Sequence, residues 1–309
     1  MRVQISEIFA PFRGQWGGKI SNGEEMWWTE PDPKLLAGSS MRRRRFVNDV
    51  RQFFLLEYLR EGISRARARG VAEPKVIDFG CGTGGSTLNF STVAGHPIDG
   101  FDVFATQIEI AGRFAESIGN RGKFGLLDGQ GRLPLPDASV DVLFSADVLG
   151  HVPEIPKTLA EWARVMKKDG IVALFTESTY SEGDRSLMAR LARDGYDMVR
   201  AVPEHISLFP REKLETWFTA AGFAIEDRVS ANVGHFFFFP KDYVLLLKKA
   251  GRTRTPVYVA AWIWNRLSKL TPFYPLPFER LRLAMTRAFG REASGTAYFY
   301  RLRRTGGGR

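Results

Sequence analysis

Several things are scarce in this chain, and each scarcity excludes something. A single cysteine, Cys81, stands among 309 residues, so no internal disulfide and no cysteine-only metal site can form, and a reducing compartment is expected. There are four histidines, with no metal-ligand spacing around them, so a metal-dependent mechanism has no support in the sequence. No stretch approaches the roughly 18 apolar residues of a membrane span. Met1 to Trp16 holds no apolar run of signal-peptide length, and a cytoplasmic location is the expectation. Internal repeats are missing, and only the tail Gly306 to Arg309 is low in complexity. Acids are rare in one place alone: residues 235–309 hold 15 Lys and Arg against 3 Asp and Glu, while residues 1–234 hold 29 against 31. The net charge of +10 therefore belongs to the C-terminal quarter.

What is present is enough apolar residue, 44% of the chain, to build one large globular domain or two small ones. The stretch that organises the rest is Val76-Ile77-Asp78-Phe79-Gly80-Cys81-Gly82-Thr83-Gly84-Gly85-Ser86-Thr87. A short β-prone run, a carboxylate, closely spaced glycines and a helix start predict a strand, a tight turn and a helix N-terminus facing a ligand. Glycine tolerates positive φ and lets backbone approach a bound group closely. Gly80-x-Gly82-x-x-Gly85 also satisfies the dinucleotide fingerprint, with Asp102 following 22 residues after Gly80 where a ribose-binding acid belongs. The pattern alone leaves a nicotinamide dinucleotide open. Asp78, two residues before Gly80, favours a cationic ligand end, because a carboxylate there repels a pyrophosphate.

Asp78-x-Gly80-x-Gly82-x-Gly84 resembles the first motif of the class I S-adenosylmethionine-dependent methyltransferases. The resemblance covers about residues 76–229. It implies that Asp78, Gly80, Cys81, Gly82 and Gly84 approach the methionine end of S-adenosyl-L-methionine. Asp102 and Val103, closing the strand Pro97 to Val103, would meet the ribose, and Asp102 is preferred to Asp99. Leu127, Asp128 and Gly129, at the end of the strand Phe124 to Asp128, would meet the adenine. Ser145 would lie at the same edge, after Leu133-Pro134-Leu135-Pro136-Asp137 and the strand through Val142. Asp147-Val148-Leu149-Gly150-His151-Val152 is similar to a family segment that usually has Glu where Gly150 stands. The loop Glu204 to Pro210, with His205, also resembles small-molecule members of the family.

Ile171 to Glu177, Phe223 to Val229 and Thr296 to Arg303 are expected as the remaining strands, with helices over Ile108–Ile118, Leu159–Met166 and Glu212–Ala221. Strands alternating with helices predict an α/β fold: a Rossmann-like, seven-stranded sheet flanked by helices, mainly parallel, with ligands at the strand C-terminal edge. The expected division is an N-terminal cap and helix over 1–70, a cofactor-binding core over 71–234, a basic aromatic insertion over 235–294, and the last strand and tail over 295–309. One helix is expected over 41–68, capped by Ser39 or Ser40. Its Arg42 to Arg45 oppose the helix dipole and either meet an acidic partner or form a solvated face. In the insertion, Phe236 to Phe239, Tyr243 to Leu247, Trp262 and Trp264 lie among Lys241, Lys248, Lys249, Arg252, Arg254, Arg266 and Lys269. This mixture suits peripheral contact of 236–291 with an anionic membrane surface, such as the inner face, or equally a helical subdomain with its aromatics turned inward.

For transfer of the activated methyl to a hydroxyl of a small-molecule or lipid-linked acceptor, His205 is the first candidate base and His151 the second; Glu177 or Asp147 could substitute. His235 could belong to a lid, and His96 lies on the wrong side. The competing readings are an NAD-dependent oxidoreductase, a nucleic-acid methyltransferase and a non-catalytic cofactor-binding protein. No recognisable RNA-binding module and no Asn/Asp-Pro-Pro-Tyr-like tetrapeptide supports nucleic acid as a partner.

Overall fold

The computed structural model describes residues 30–128, 130–197, 199, 205–268 and 276–306. The N-terminal stretch 1–29 with its tryptophans, Gly129, and Glu204 lie outside them. Among the described residues three helices come first: α1 (Pro33–Leu36), α2 (Ser40–Asn48) and α3 (Val50–Ala68). The expected single helix over 41–68 is broken at Asp49, which sits in extended backbone and accepts hydrogen bonds from Arg51 and Gln52 N–H. A short acidic side chain able to serve as N-cap competes with helix continuation. Ser39 caps α2 through the Arg42 N–H.

Then come β1 (Val76–Phe79), α4 (Gly85–Ala94), β2 (Asp99–Asp102), α5 (Ala105–Ser117), β3 (Phe124–Leu126), β4 (Val140–Ala146), a 3₁₀ turn at Leu149–His151, and α6 (Ile155–Val165). They are followed by β5 (Met166–Glu177), α7 (Leu187–Arg193), α8 (Arg211–Ala220) and β6 (Phe223–Ser230). Four further helices, α9 (His235–Phe238), α10 (Pro240–Lys249), α11 (Pro256–Leu267) and α12 (Leu276–Phe289), precede β7 (Ala297–Arg304). The helix expected to run to Met166 ends at Val165, and Lys167 to Gly170, a charged run closed by glycine that reads locally as a helix end, belong to β5, because Met166 is already extended.

The seven strands run in the order β3-β2-β1-β4-β5-β7-β6. β1 to β5 pair in parallel, and β7 is antiparallel to both neighbours. Strand side chains alternate between faces, and two buried clusters result. Leu143, Val172, Leu174 and Tyr300 meet Trp162 and Leu159 of α6 on one face. Val142, Phe144, Ala173, Phe175 and Phe299 meet Phe54, Leu55 and Leu59 of α3 on the other. Covering both faces leaves the strand ends as the place for a ligand, and β1, β2, β4 and β5 present their C-terminal ends together. This is the α/β sheet the sequence predicts.

Three of the four arginines of α2 are used within the fold. Arg42 pairs with Asp32 at 3.7 Å, Arg45 with Glu279 at 3.4 Å, and Arg43 donates to the Val93 carbonyl.

Candidate active site at the strand C-terminal edge

The turn after β1 needs glycine for two physical reasons. Gly80 has φ of +81°, and a Cβ there would stand 2.3 Å from Val148 Cγ2. Gly84, at φ +78°, lies so close to α5 that a Cβ would be 2.8 Å from that of Ala111. Gly80 and Cys81 N–H both donate to the Phe101 carbonyl, which ties the turn to β2. Asp102 completes the attachment: one of its oxygens accepts from Gly82 N–H at 2.9 Å and the other from Phe104 N–H at 3.2 Å. No side chain caps α4, so its first N–H groups are open to a ligand.

Beneath this turn lie two carboxyl groups with no cation paired to them among the described residues. Asp78 is 2% exposed and accepts a 2.6 Å hydrogen bond from the Thr87 hydroxyl. Burial pushes its pKa up to about 7, and the Asp102 charge adds to the rise. Burial also raises Asp102. A buried carboxylate without a counter-ion is costly, and a cationic ligand group would relieve it. This donor set fits an ammonium or sulfonium and disfavours a diphosphate.

The remaining residues expected at the cofactor separate into three kinds. Val103 and the neighbouring Leu126 stand about half exposed beside the turn, offering an open apolar surface. Leu127, by contrast, is turned into the core, with its N–H donating to the Asp102 carbonyl, so Leu126 is the side chain available to a ring. Asp128 is exposed, and Gln130 and Arg132 N–H groups bound to one of its oxygens hold its carboxyl below the usual range. Ser145 is fully buried and donates to the Phe79 carbonyl at 2.9 Å. It therefore braces the start of the glycine turn from β4 rather than meeting a ligand. Cys81 fills space under the turn beside Gly100, and burial with two nearby carboxylates pushes its thiol well above the ordinary range. A thiol so held is no nucleophile.

A second group of residues gathers where β4 and β5 end. Asp147 takes the left-handed conformation, φ +58°, and forms an ion pair with Arg51 of α3. The Arg51 guanidinium lies over the Phe175 ring at 4.7 Å. Glu177 stands beside this pair. Burial first, then the Asp147 charge, drives its carboxyl well above the usual range, and its Oε2 is buried with no hydrogen-bond partner. Gly150 leaves the space next to it open: a Cβ there would be 3.5 Å from Glu177 Oε2 and 3.5 Å from His205 Cδ2. The Gly150 carbonyl accepts from Ile206 and Ser207 N–H, pinning the loop that carries His205. His151 and His205 come together, ring centroids 4.7 Å apart.

His205 Nδ1 is 2.7 Å from the Val199 carbonyl. A carbonyl only accepts, so Nδ1 carries the hydrogen and Nε2 keeps its lone pair. The other two histidines are elsewhere. His96 binds the Pro74 carbonyl before β1, at the opposite edge. His235 is held between Asp242 at 3.0 Å and Asn232 at 3.2 Å. Val199 and His235 share the wall of a cavity with Tyr180, Met188 and Leu246, which places helix α10 against the space behind His205.

The glycine turn and its acids were legible in the sequence, and three features were not. Thr87 as partner to Asp78 could have been found from its place one turn into α4. Val148, packed against Gly80, has no sequence signal. Arg51 reaches Asp147 across 96 residues, and only the docking of α3 on the sheet reveals it.

Residues 43–227 match the family model described as a methyltransferase domain, more than half of the chain. The chain therefore belongs to the methyltransferase-domain family, within the S-adenosylmethionine-dependent class that its first motif resembles. Among relatives, it is 30% identical over 102 residues to a sterol 24-C-methyltransferase of Gibberella zeae, covering 33% of this chain and 27% of that protein. It is 30% identical over 105 residues to 27-O-demethylrifamycin SV methyltransferase of Amycolatopsis mediterranei, covering 33% and 38%. The chain thus spans well under half the length of these curated relatives. A similar fold is seen in the crystal structure of a protein assigned as a sarcosine dimethylglycine methyltransferase from Galdieria sulphuraria, with TM-score 0.51, 16% identity and coverage of 92% and 95%.

Proposed function

We propose that the protein transfers a methyl group from S-adenosyl-L-methionine to a hydroxyl of a small-molecule or lipid-linked acceptor. The observation that carries this reading is the glycine turn laid over two buried carboxyl groups, Asp78 and Asp102, that have no cation of their own. Asp78 with the N–H groups opening α4 would hold the amino-acid end. Asp102 would hold the ribose, Val103 and Leu126 the ring faces, and Asp128 the adenine amine through its second oxygen. The bound cofactor supplies a methyl already activated by its sulfonium.

The chain's own part is to align the acceptor and take its proton. His205 is suited to the second task, because Val199 fixes its tautomer with Nε2 unprotonated. His151, its ring tilted 48° against it, orients that ring. Glu177 is held neutral at this edge and serves as a hydrogen-bond donor toward the acceptor rather than as the base. The organisation into a cap (1–70), core (71–234), insertion (235–294) and last strand (295–309) belongs to this reading, with the insertion walling the acceptor side.

A further part of the proposal concerns place: contact of the basic, aromatic segment 236–291 with an anionic membrane surface. Its support is the charge imbalance of the C-terminal quarter. Among the described residues no helix is long and apolar enough to cross a membrane, so this contact would be peripheral. The relatives noted above act, by their names, on a sterol and on a rifamycin, in keeping with a small or lipidic acceptor.

The test is thermal unfolding of the purified protein. S-adenosylmethionine should raise the melting temperature and NAD should not. Asp102→Ala should remove most of that shift. Stabilisation by NAD alone would replace this reading with the oxidoreductase.

A further inference from the structure

Helix α11 is apolar on the side that meets the protein and on the side that does not. Ala261 is its buried residue, Tyr258 leans on the apolar cluster of α7 and α10, and Trp264 Nε1 donates to the Phe237 carbonyl. Those contacts fix which side of the helix meets the protein. At 100° per residue, the opposite side carries Pro256, Val259, Ala260, Trp262, Ile263 and Leu267 with Arg266 among them, while Val257, four residues before Ala261, lies on the protein side. Val257, Val259, Trp262, Ile263 and Leu267 are 38–49% exposed. The polar Asn265 lies on the protein side, half-buried. A helix of a water-soluble surface does the reverse, turning its apolar stripe inward. An outward stripe of this size marks a surface that something else covers.

The charges around the stripe indicate what covers it. Residues 235–268 hold six Lys and Arg against one acid, Asp242, and that acid is engaged by His235. Lys248, Lys249, Arg252 and Arg254 come just before the helix, and all are exposed. Arg266 stands within the stripe, between Trp262 and Val259, with its guanidinium over the Trp262 ring at 5.2 Å. An apolar face preceded by cations and holding one arginine, whose long stem lets its charge reach headgroup level, is complementary to an anionic lipid surface: cations meet headgroups while the apolar side chains enter the acyl boundary. A twelve-residue helix, about 18 Å long, lies in that interface and does not span it.

We infer that α11 is the element that docks the protein on anionic membranes, its Val259–Ile263–Leu267 stripe buried among the lipids and the basic turn 248–254 on their headgroups. The inference rests on the membrane reading of segment 236–291 and narrows it to one helix face. Docking by this helix would set the cavity walled by α10 and His235, against which α11 packs, close to the bilayer, so that a lipid-linked acceptor need travel only a short way.

Co-sedimentation with phosphatidylglycerol/phosphatidylcholine vesicles, and with phosphatidylcholine alone, tests it. The unmodified protein should bind the anionic vesicles and bind neutral ones at least about tenfold more weakly. Val259→Glu with Ile263→Glu should weaken binding by about tenfold or more while leaving the melting temperature and the S-adenosylmethionine-induced shift unchanged, because both positions face away from the protein. Lys248→Glu with Arg254→Glu should weaken binding and abolish its salt dependence. If the unmodified protein binds but the α11 variant binds equally well, the inference fails and the broader membrane reading stands. If the unmodified protein does not bind at low salt, both fail. If sedimentation without lipid shows a dimer that the α11 variant dissociates, the stripe is a protein interface and the inference is overturned.

Discussion

Two pairs of carboxyl groups occupy neighbouring strand ends, and they are treated differently. Asp147 and Glu177, at the ends of β4 and β5, have a cation supplied by the protein: Arg51 reaches across from α3 to pair with Asp147. Glu177, buried beside that charge, is left neutral. Asp78 and Asp102, at β1 and β2, have hydrogen bonds from Thr87, Gly82 and Phe104 but no basic side chain among the described residues. The first pair has a cation from the protein itself, whereas the second is left for a positively charged ligand. A fold can keep an uncompensated carboxyl pair when ligand binding repays its desolvation, and under the proposed function the contrast assigns the ends of β1 and β2 to the cofactor and those of β4 and β5 to the acceptor.

This contrast can be broken at its acceptor end first. His205→Ala should lower turnover by about 10²–10⁴-fold with cofactor affinity unchanged, measured with any acceptor that supports turnover and by calorimetry. An equal loss of cofactor affinity would move His205 out of the acceptor half. Arg51→Ala should cost roughly 1–2 kcal/mol, a modest figure because the guanidinium is partly exposed and its screening by water reduces the pair's worth. Denaturant unfolding measures it, and an unchanged midpoint would mean that Asp147 needs no partner. The smallest effect belongs to Glu177→Gln. A neutral carboxyl replaced by a neutral amide should change activity near neutral pH by no more than about twofold, whereas a severe loss would make Glu177 the base.

The parts of the molecule readable from sequence were those set by short-range rules. Asp78 and the glycines announced themselves because a turn of positive φ admits few other residues, and the sheet followed from alternating strand and helix patterns. Asp49 was missed as a break because its neighbours keep the helical spacing on both sides, and a cap is recognised only when the backbone has already turned. Lys167 to Gly170 looked like a helix end, yet they lie within β5, as the irregularity between Met166, which pairs with Val140, and Ile171, which pairs with Val142. Leu127 and Leu126 exchanged places for a similar reason: with a period of two, an error of one residue sends a side chain to the other face. The pairing of Arg51 with Asp147, and the outward stripe of α11, depend on how helices dock, which no local pattern encodes.

The pH dependence follows from the Asp78 shift. A carboxyl whose folded pKa is raised holds a proton that the unfolded chain has released. The unliganded protein therefore loses stability as pH rises from the ordinary carboxylate range to about 7. A bound ammonium favours the ionised form, so ligand binding must expel that proton below about pH 7. Isothermal titration of S-adenosylmethionine across about pH 5.5–7.5, in buffers of different ionisation enthalpy, measures this directly. Affinity should climb by up to about tenfold per pH unit and level off above pH 7, with close to one proton released at the acid end, and Asp78→Asn should flatten the profile. Binding that is independent of pH and releases no proton, or binding of NAD in its place, would contradict the claim that the carboxyl pair beneath the glycine turn awaits a cation.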